Sequence, residues 1–299
     1  MQQHRKGRAH RRLRPLIGVL VLTALVLSAC VVLPVAATGQ PVRPYLALGD
    51  SITFGYVAQP PASAGYDPYS DPARFVAYPA YVARALALDV IDAACPGETS
   101  GSLIALGAAD NGCRGYRASH PLHVDYAGRS QLQYAETFLQ TYPATQLMTL
   151  GIGLNDGLLV LARCGGPAAA ACINARMPAA VDAVRGNIGT IVRALRAAGY
   201  HGRVVLMDYY SVDSGNAAYT MVVTSLNQAI AGAGAAFGLR VAGVFTAFDN
   251  AAVRSGGDTC AAGLLQAALP AATACDLHPS LTGQQLIAAT VVRAVAGTG

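Results

Sequence analysis

The sequence predicts an α/β fold in which a mainly parallel sheet is covered by helices on both faces, within one domain. Three observations lead there. Short apolar runs alternate with helix-length amphipathic runs from Tyr45 to the C-terminus, the pattern of repeated strand–helix–strand units. No internal repeat divides the chain, and 299 residues are ample for one substantial core. A composition that is 53% hydrophobic and only 12% charged is too apolar for disorder.

Taken in order, "YLALG" at 45–49 reads as the first strand, a short apolar run that breaks into Gly49, Asp50 and Ser51. "YPAYVARALAL" reads as a helix, "DVIDAA" at 89–94 as a strand, "SQLQYAETFLQTY" at 130–142 as a helix and "TQLMTLGIG" at 145–153 as a strand. From Pro178 to Gly199 apolar residues recur at helical spacing (Val181, Val184, Ile188, Ile191, Val192, Leu195), and the run ends in Gly as helices often do. Strand "RVVLMDYY" at 203–210, a helix around 216–236, strand "LRVAGVF" at 239–245 and a last helix from Thr282 to Val295 complete the pattern. Two long stretches read as irregular, Val57 to Tyr78 and Asp110 to Gly128. Loops of that length generally serve a site or are disordered. Tyr56, Tyr66, Tyr69, Phe75 and Tyr78 either line a pocket or staple their own loop together.

Residues 1–37 stand apart from the fold. "HRKGRAHRRLR" precedes "LIGVLVLTALVLSACVVLPVAA", with no charge between Arg14 and Arg43, the order of an export signal or membrane anchor. Three readings stay open: lipoprotein processing at "LSAC" with lipidation of Cys30, ordinary cleavage after "VAA" before Thr38, or an uncleaved anchor over Leu16 to Ala37. All three export the body. Thr38 to Pro44 is a linker, and the domain runs from 45 to 299. The net charge of +5 misleads, since six of the 21 basic residues lie in the leader and leave 15 against 16 acidic ones. A near-neutral body without Lys/Arg clusters has no footprint for nucleic acid.

Apart from Cys30, six cysteines remain: Cys95, Cys113, Cys164, Cys172, Cys260 and Cys275. An even count fits an oxidising compartment. Six cysteines allow 15 connectivities, of which pairing between sequence neighbours is preferred. No C-x-x-C pair occurs, so a zinc site is not indicated.

Ser51 can be read as part of a helix cap or as a nucleophile at the C-terminal end of a strand, where open α/β sheets place their sites. A nucleophilic serine needs a base, and four His lie outside the leader. His120 and His123 form "HPLH" in an irregular stretch, without acidic or Cys partners at ligand spacing, and read as loop-packing residues. His201 sits in the turn "AGYHGR". His278, in "CDLHPSLTGQQLIAA", stands before a Pro and the final helix, at the end of a disulfide loop if Cys260 pairs with Cys275.

Four separated blocks then resemble the SGNH, or GDSL-type, serine hydrolases: "GDSIT" at 49–53, "CPGETS" at 95–100, "GIGLND" at 151–156 and "DLHPS" at 276–280. They fall in the family's order and span nearly everything from Tyr45 onward. The resemblance implies a flavodoxin-like three-layer sandwich around a five-stranded sheet. It makes Ser51 the nucleophile, His278 the general base, and the oxyanion donors the backbone N–H of Ser51, the backbone N–H of Gly97 and the side-chain amide of Asn155. One position departs from the pattern: the acid usually three residues before the His is Cys275 here, and the nearest acid, Asp276, is two before. Either Asp276 or a backbone carbonyl then orients the imidazole, with Asp276 preferred. "GDSIT" lacks the second Gly of the G-x-S-x-G elbow, which separates the chain from α/β-hydrolases.

The resulting expectation is an exported esterase or lipase that hydrolyses a small-molecule or lipid carboxylic ester through an acyl-enzyme. No cofactor, metal or nucleic acid is implied, and a membrane is met only through the N-terminal segment. A carbohydrate acetylesterase and a catalytically silent tethered binding protein are the alternatives. The acyl chain, the alcohol and the oligomeric state are not legible.

Overall fold

The computed structural model describes residues 42–58, 66–166, 168–212, 217–268 and 275–297. The leader and most of the linker lie outside them. Among the described residues no helix is long and apolar enough to cross a membrane.

Five parallel strands form the central sheet: β1 (Pro44–Gly49), β2 (Asp89–Asp92), β3 (Leu147–Gly151), β4 (Arg203–Met207) and β5 (Arg240–Ala242), in the order β2-β1-β3-β4-β5. The central strands β1, β3 and β4 are nearly continuous apolar runs because both faces are covered; all six residues of β1 are buried. On one face lie α3 (Ser100–Ile104), α5 (Gln131–Thr141), α6 (Leu154–Arg163), α7 (Ala170–Ala197) and α8 (Ala217–Phe237), packed around α7. On the other, α2 (Tyr78–Leu86) and α9 (Val244–Ala252) pack on α10 (Leu281–Ala296). Chain order steps outward from β1 to β2 and then returns across β1 to β3. The crevice beyond the carboxyl ends of β1 and β3 is therefore the switch point at which such sheets bind ligands. Gly49 and Gly151 are paired there. A Cβ on Gly49, whose φ is +158°, would lie 2.3 Å from Thr53 Oγ1 and 2.5 Å from the Gly151 carbonyl, so this turn excludes a side chain.

Several elements differ from the sequence reading. The irregular stretch 110–128 contains a helix, α4 (Cys113–Ser119). A ten-residue helix, α6, which the sequence reading did not include, opens at Leu154 directly after the strand. α7 begins at Ala170 and runs straight through Pro178. An interior Pro costs a helix about 3 kcal/mol. Met177 and Ile173, one and two turns before Val181, are both buried, and their packing offsets that cost. The run 239–245 splits at Gly243, with Val244 and Phe245 opening α9. His278 lies not in a loop but on a strand, β7 (Cys275–Pro279), antiparallel to β6 (Leu265–Ala267).

The three disulfides pair sequence neighbours: Cys95–Cys113, Cys164–Cys172 and Cys260–Cys275. Each closes a short loop and contributes about 2–4 kcal/mol by restricting the unfolded chain.

Candidate active site

The question raised by Asp50 and Ser51 divides between the two residues. Asp50 is the cap: its Oδ1 accepts from Ile52 N–H at 3.0 Å, and its Oδ2 accepts from the Tyr209 hydroxyl at 2.7 Å. With that N–H satisfied, the hydroxyl of Ser51 is left over, at the head of α1 (Ser51–Phe54). It meets His278, whose Nε2 lies 2.9 Å from Ser51 Oγ. Both residues are 8% exposed, dry enough to strengthen the contact yet open to a small molecule.

His278 Nδ1 is in contact with Asp276 Oδ1, which also accepts from the His278 backbone N–H at 2.9 Å. The two-residue separation suits a strand, because residues i and i+2 of β7 project from the same face. The strand is held from outside by the Tyr210 hydroxyl, which donates to the Leu277 carbonyl at 2.7 Å, and by the Cys260–Cys275 bridge at its first residue. Burial pushes the Asp276 carboxyl up, but the hydrogen bond and charge of His278 outweigh it and hold the group below the usual Asp range. Burial raises Asp50 to about 6, against the opposing Tyr209 and Ile52 bonds.

Facing this pair is the turn after β2. Gly97 has φ +80°, and a Cβ on it would strike the Asn111 carbonyl oxygen at 2.4 Å; only Gly brings the two backbones together. Asn155, in the first turn of α6, donates from Nδ2 to the Glu98 carbonyl at 2.9 Å and accepts at Oδ1 from Asn111 Nδ2 at 2.8 Å. Among the described residues the N–H groups of Ser51 and Gly97 have no protein partner. Ser51, Gly97, Asn155 and His278 line one cleft of about 240 Å³. Four distant segments of sequence converge there.

The other three histidines of the described residues do not. His123 Nε2 bonds the Phe54 carbonyl at 3.0 Å, His120 Nε2 lies 3.4 Å from Asp67, and His201 is exposed. The aromatic residues of the first long stretch are both wall and staple. Tyr56 stacks with Tyr69 and Phe75, and the Tyr56 ring faces His278 at 5.0 Å. Tyr66 instead lies under Arg74, and Tyr78 is wholly buried. The only cluster of potential metal donors among the described residues is Cys95, Glu98 and Cys113, whose two sulfurs are bonded to each other and so are not thiolate ligands.

Three residues that tie the segments together were given no role by the sequence. Gln131 accepts from Gly49 N–H at 2.6 Å and donates to both the Gly49 carbonyl (3.0 Å) and Glu98 Oε2 (3.2 Å). It looked like any polar residue opening an amphipathic helix. Asp156 accepts from the backbone N–H and the hydroxyl of Ser100 at 2.8 and 2.7 Å, locking α6 to α3. Asn111 lay in a stretch read as loop.

Glu98 makes this region pH-sensitive. Burial raises its carboxyl from 4.5 to about 7, against the Ser102 and Gln131 bonds. Between those pH values the folded chain keeps a proton that the unfolded chain has released, so stability falls as pH rises through the window. Glu98→Gln removes this contribution. The variant should match wild type below pH 4.5 and exceed it at pH 8 by on the order of 2–3 kcal/mol in denaturant unfolding. An equal gap at both pH values would contradict the assignment.

The family model for the GDSL-like lipase/acylhydrolase family matches residues 47–286. No curated protein sequence matches the chain. Among solved structures, the extracellular lipase of Streptomyces rimosus is 20% identical, with 85% of this chain and all of that one covered at a TM-score of 0.55. Phospholipase A1 from Streptomyces albidoflavus NA297 is 20% identical, with 86% and 100% covered at 0.53. The lipase Lip_vut3 from a goat rumen metagenome is 15% identical, with 86% and 99% covered at 0.53. At these identities the likeness establishes a shared fold.

Proposed function

The chain belongs to the GDSL-like lipase/acylhydrolase family, and on that premise we propose that it hydrolyses carboxylic esters through an acyl-enzyme on Ser51. The observation that carries this reading is the 2.9 Å contact between Ser51 Oγ and His278 Nε2, with Asp276 on the far nitrogen of the ring. Ser51 Oγ attacks the ester carbonyl as His278 takes its proton. The developing oxyanion is met by the N–H groups of Ser51 and Gly97 and by Asn155 Nδ2, fixed dipoles that need no reorganisation during the step. His278 then protonates the departing alcohol, and a water activated by the same imidazole releases the acid. Asp276 holds the ring and stabilises its protonated form. The leader and the three disulfides support a site of action outside the cytoplasm.

The acyl group is assigned to a larger neighbouring cavity of about 640 Å³. Leu158 and Leu277 belong to the walls of both this cavity and the cleft at Ser51, and Leu154, Leu161, Val222 and Leu265 continue its apolar lining. An acyl chain entering there gains up to about 0.8 kcal/mol per buried methylene. Across p-nitrophenyl esters from acetate to palmitate, kcat/KM should therefore rise by about 10² between acetate and octanoate. The second reading, an acetyl ester on carbohydrate, is favoured by the Tyr56 and Tyr116 rings at the cleft. An optimum at acetate together with release of acetate from acetylated xylan would select it.

A further inference from the structure

We propose that Asn111 is a positioning residue that, together with the Glu98 carbonyl, holds the Asn155 amide with its free N–H toward the substrate and so completes the oxyanion site. This inference rests on the oxyanion role given to Asn155 above. A carboxamide is nearly symmetric in shape, so packing alone does not decide whether its NH₂ or its C=O faces the substrate. Its partners decide. Asn155 Nδ2 donates to the Glu98 carbonyl at 2.9 Å, and Asn155 Oδ1 accepts from Asn111 Nδ2 at 2.8 Å. Turning the amide over would set acceptor against acceptor at the Glu98 carbonyl, and the Asn111 amide would have to turn with it or lose its bond. One Nδ2 hydrogen is thereby committed to Glu98, the oxygen is committed to Asn111, and the second Nδ2 hydrogen remains for an oxyanion.

The backbone of Asn111 serves the second donor as well. Its N–H donates to the Gly97 carbonyl at 2.8 Å, and its own carbonyl occupies the space that a Cβ on Gly97 would need. This segment is anchored independently of the Asn111 side chain. Cys113, two residues on, is bridged to Cys95; Asp110 accepts from Gly112 N–H at 2.8 Å and pairs with Arg114 at 2.6 Å. The Asn111 residue is exposed, so truncating its side chain leaves no buried void and the fold should tolerate it.

A double-mutant cycle on kcat for p-nitrophenyl butyrate tests the proposal. Asn155→Ala should lower kcat by about 10²–10³. Asn111→Ala should lower it by about tenfold with KM nearly unchanged, and should have almost no further effect in the Asn155→Ala background, because it acts through that amide. Asn111→Asp replaces the donor with a carboxylate; its loss should exceed that of the alanine variant at pH 8 and shrink at low pH as the carboxyl regains a proton it can donate. The inference is overturned if Asn111→Ala alone loses less than about threefold, or if at least half of its loss on a logarithmic scale survives in the Asn155→Ala background. Survival of that loss would mean a direct substrate contact or a general loosening of the loop. If Asn155→Ala and Ser51→Ala are themselves without effect, the esterase reading fails first; if they are severe and Asn111→Ala is silent, only this inference falls.

Discussion

Ser51→Ala should abolish ester turnover, lowering kcat by about 10⁶, while leaving a folded protein. The hydroxyl is the one atom of Ser51 that meets His278 Nε2, and no backbone element depends on it, because Asp50 caps the one-turn helix at Ile52. Alanine fits the first position of a helix without penalty. The backbone N–H of residue 51, Gly97 N–H and the Asn155 amide all survive, so a small residual rate over water should persist from the oxyanion donors. The measurement is kcat on p-nitrophenyl butyrate beside labelling by a fluorophosphonate probe, with circular dichroism to confirm the fold. Wild type should label and the variant should not. A variant within about tenfold of wild type would remove the nucleophile from the mechanism. Folded, oxidised wild-type protein that neither labels nor turns over would instead favour a binding protein on the same fold.

The sheet was readable because its strands are buried on both faces and so appear as short, nearly uninterrupted apolar runs such as "YLALG" and "RVVLM". The same property hides helix from strand when such a run is broken only by one glycine, as at Gly243. At Pro178 local punctuation argued for a helix start, yet Met177 and Ile173 already carry the buried stripe one and two turns before Val181; tertiary packing prevailed over the local rule. Ser51 and His278 stood out beside a strand end and before the final helix, whereas the roles of Gly97 and Asn155 came only from the family resemblance of their blocks. Their convergence was not visible in composition or spacing. Gln131, Asn111 and Tyr209 act through a single amide or hydroxyl placed by the fold, and a polar side chain whose partner lies 40 to 160 positions away leaves no periodic trace.

Asp276 carries the second large prediction, because it stands one position after the place where the family usually has its acid, a place taken here by a cysteine. That cysteine, Cys275, is committed to Cys260, and the strand geometry of β7 lets the carboxylate at the next position reach the ring from two residues away. Its environment keeps it ionised: the His278 contact outweighs burial and holds the carboxyl below its ordinary 3.8. A depressed acid contributes stability above its unfolded pKa and loses it as pH falls through the folded value. Asp276 thus stays charged through the neutral range and does not set an inflection in activity there. Asp276→Ala strips Nδ1 of this partner and frees the ring to rotate away from Ser51. Asp276→Asn keeps the shape but removes the charge and offers the ring the wrong hydrogen-bonding partner. Each should lower kcat by about 10³–10⁴ with KM little changed. The asparagine variant is the sharper test, since it preserves packing: a loss below about tenfold there would mean that ring orientation comes from the backbone of β7 instead of the carboxylate. A full loss in both variants, with unfolding midpoints at pH 7 lowered by no more than the broken ion pair accounts for, would fix Asp276 as the group that aims the imidazole.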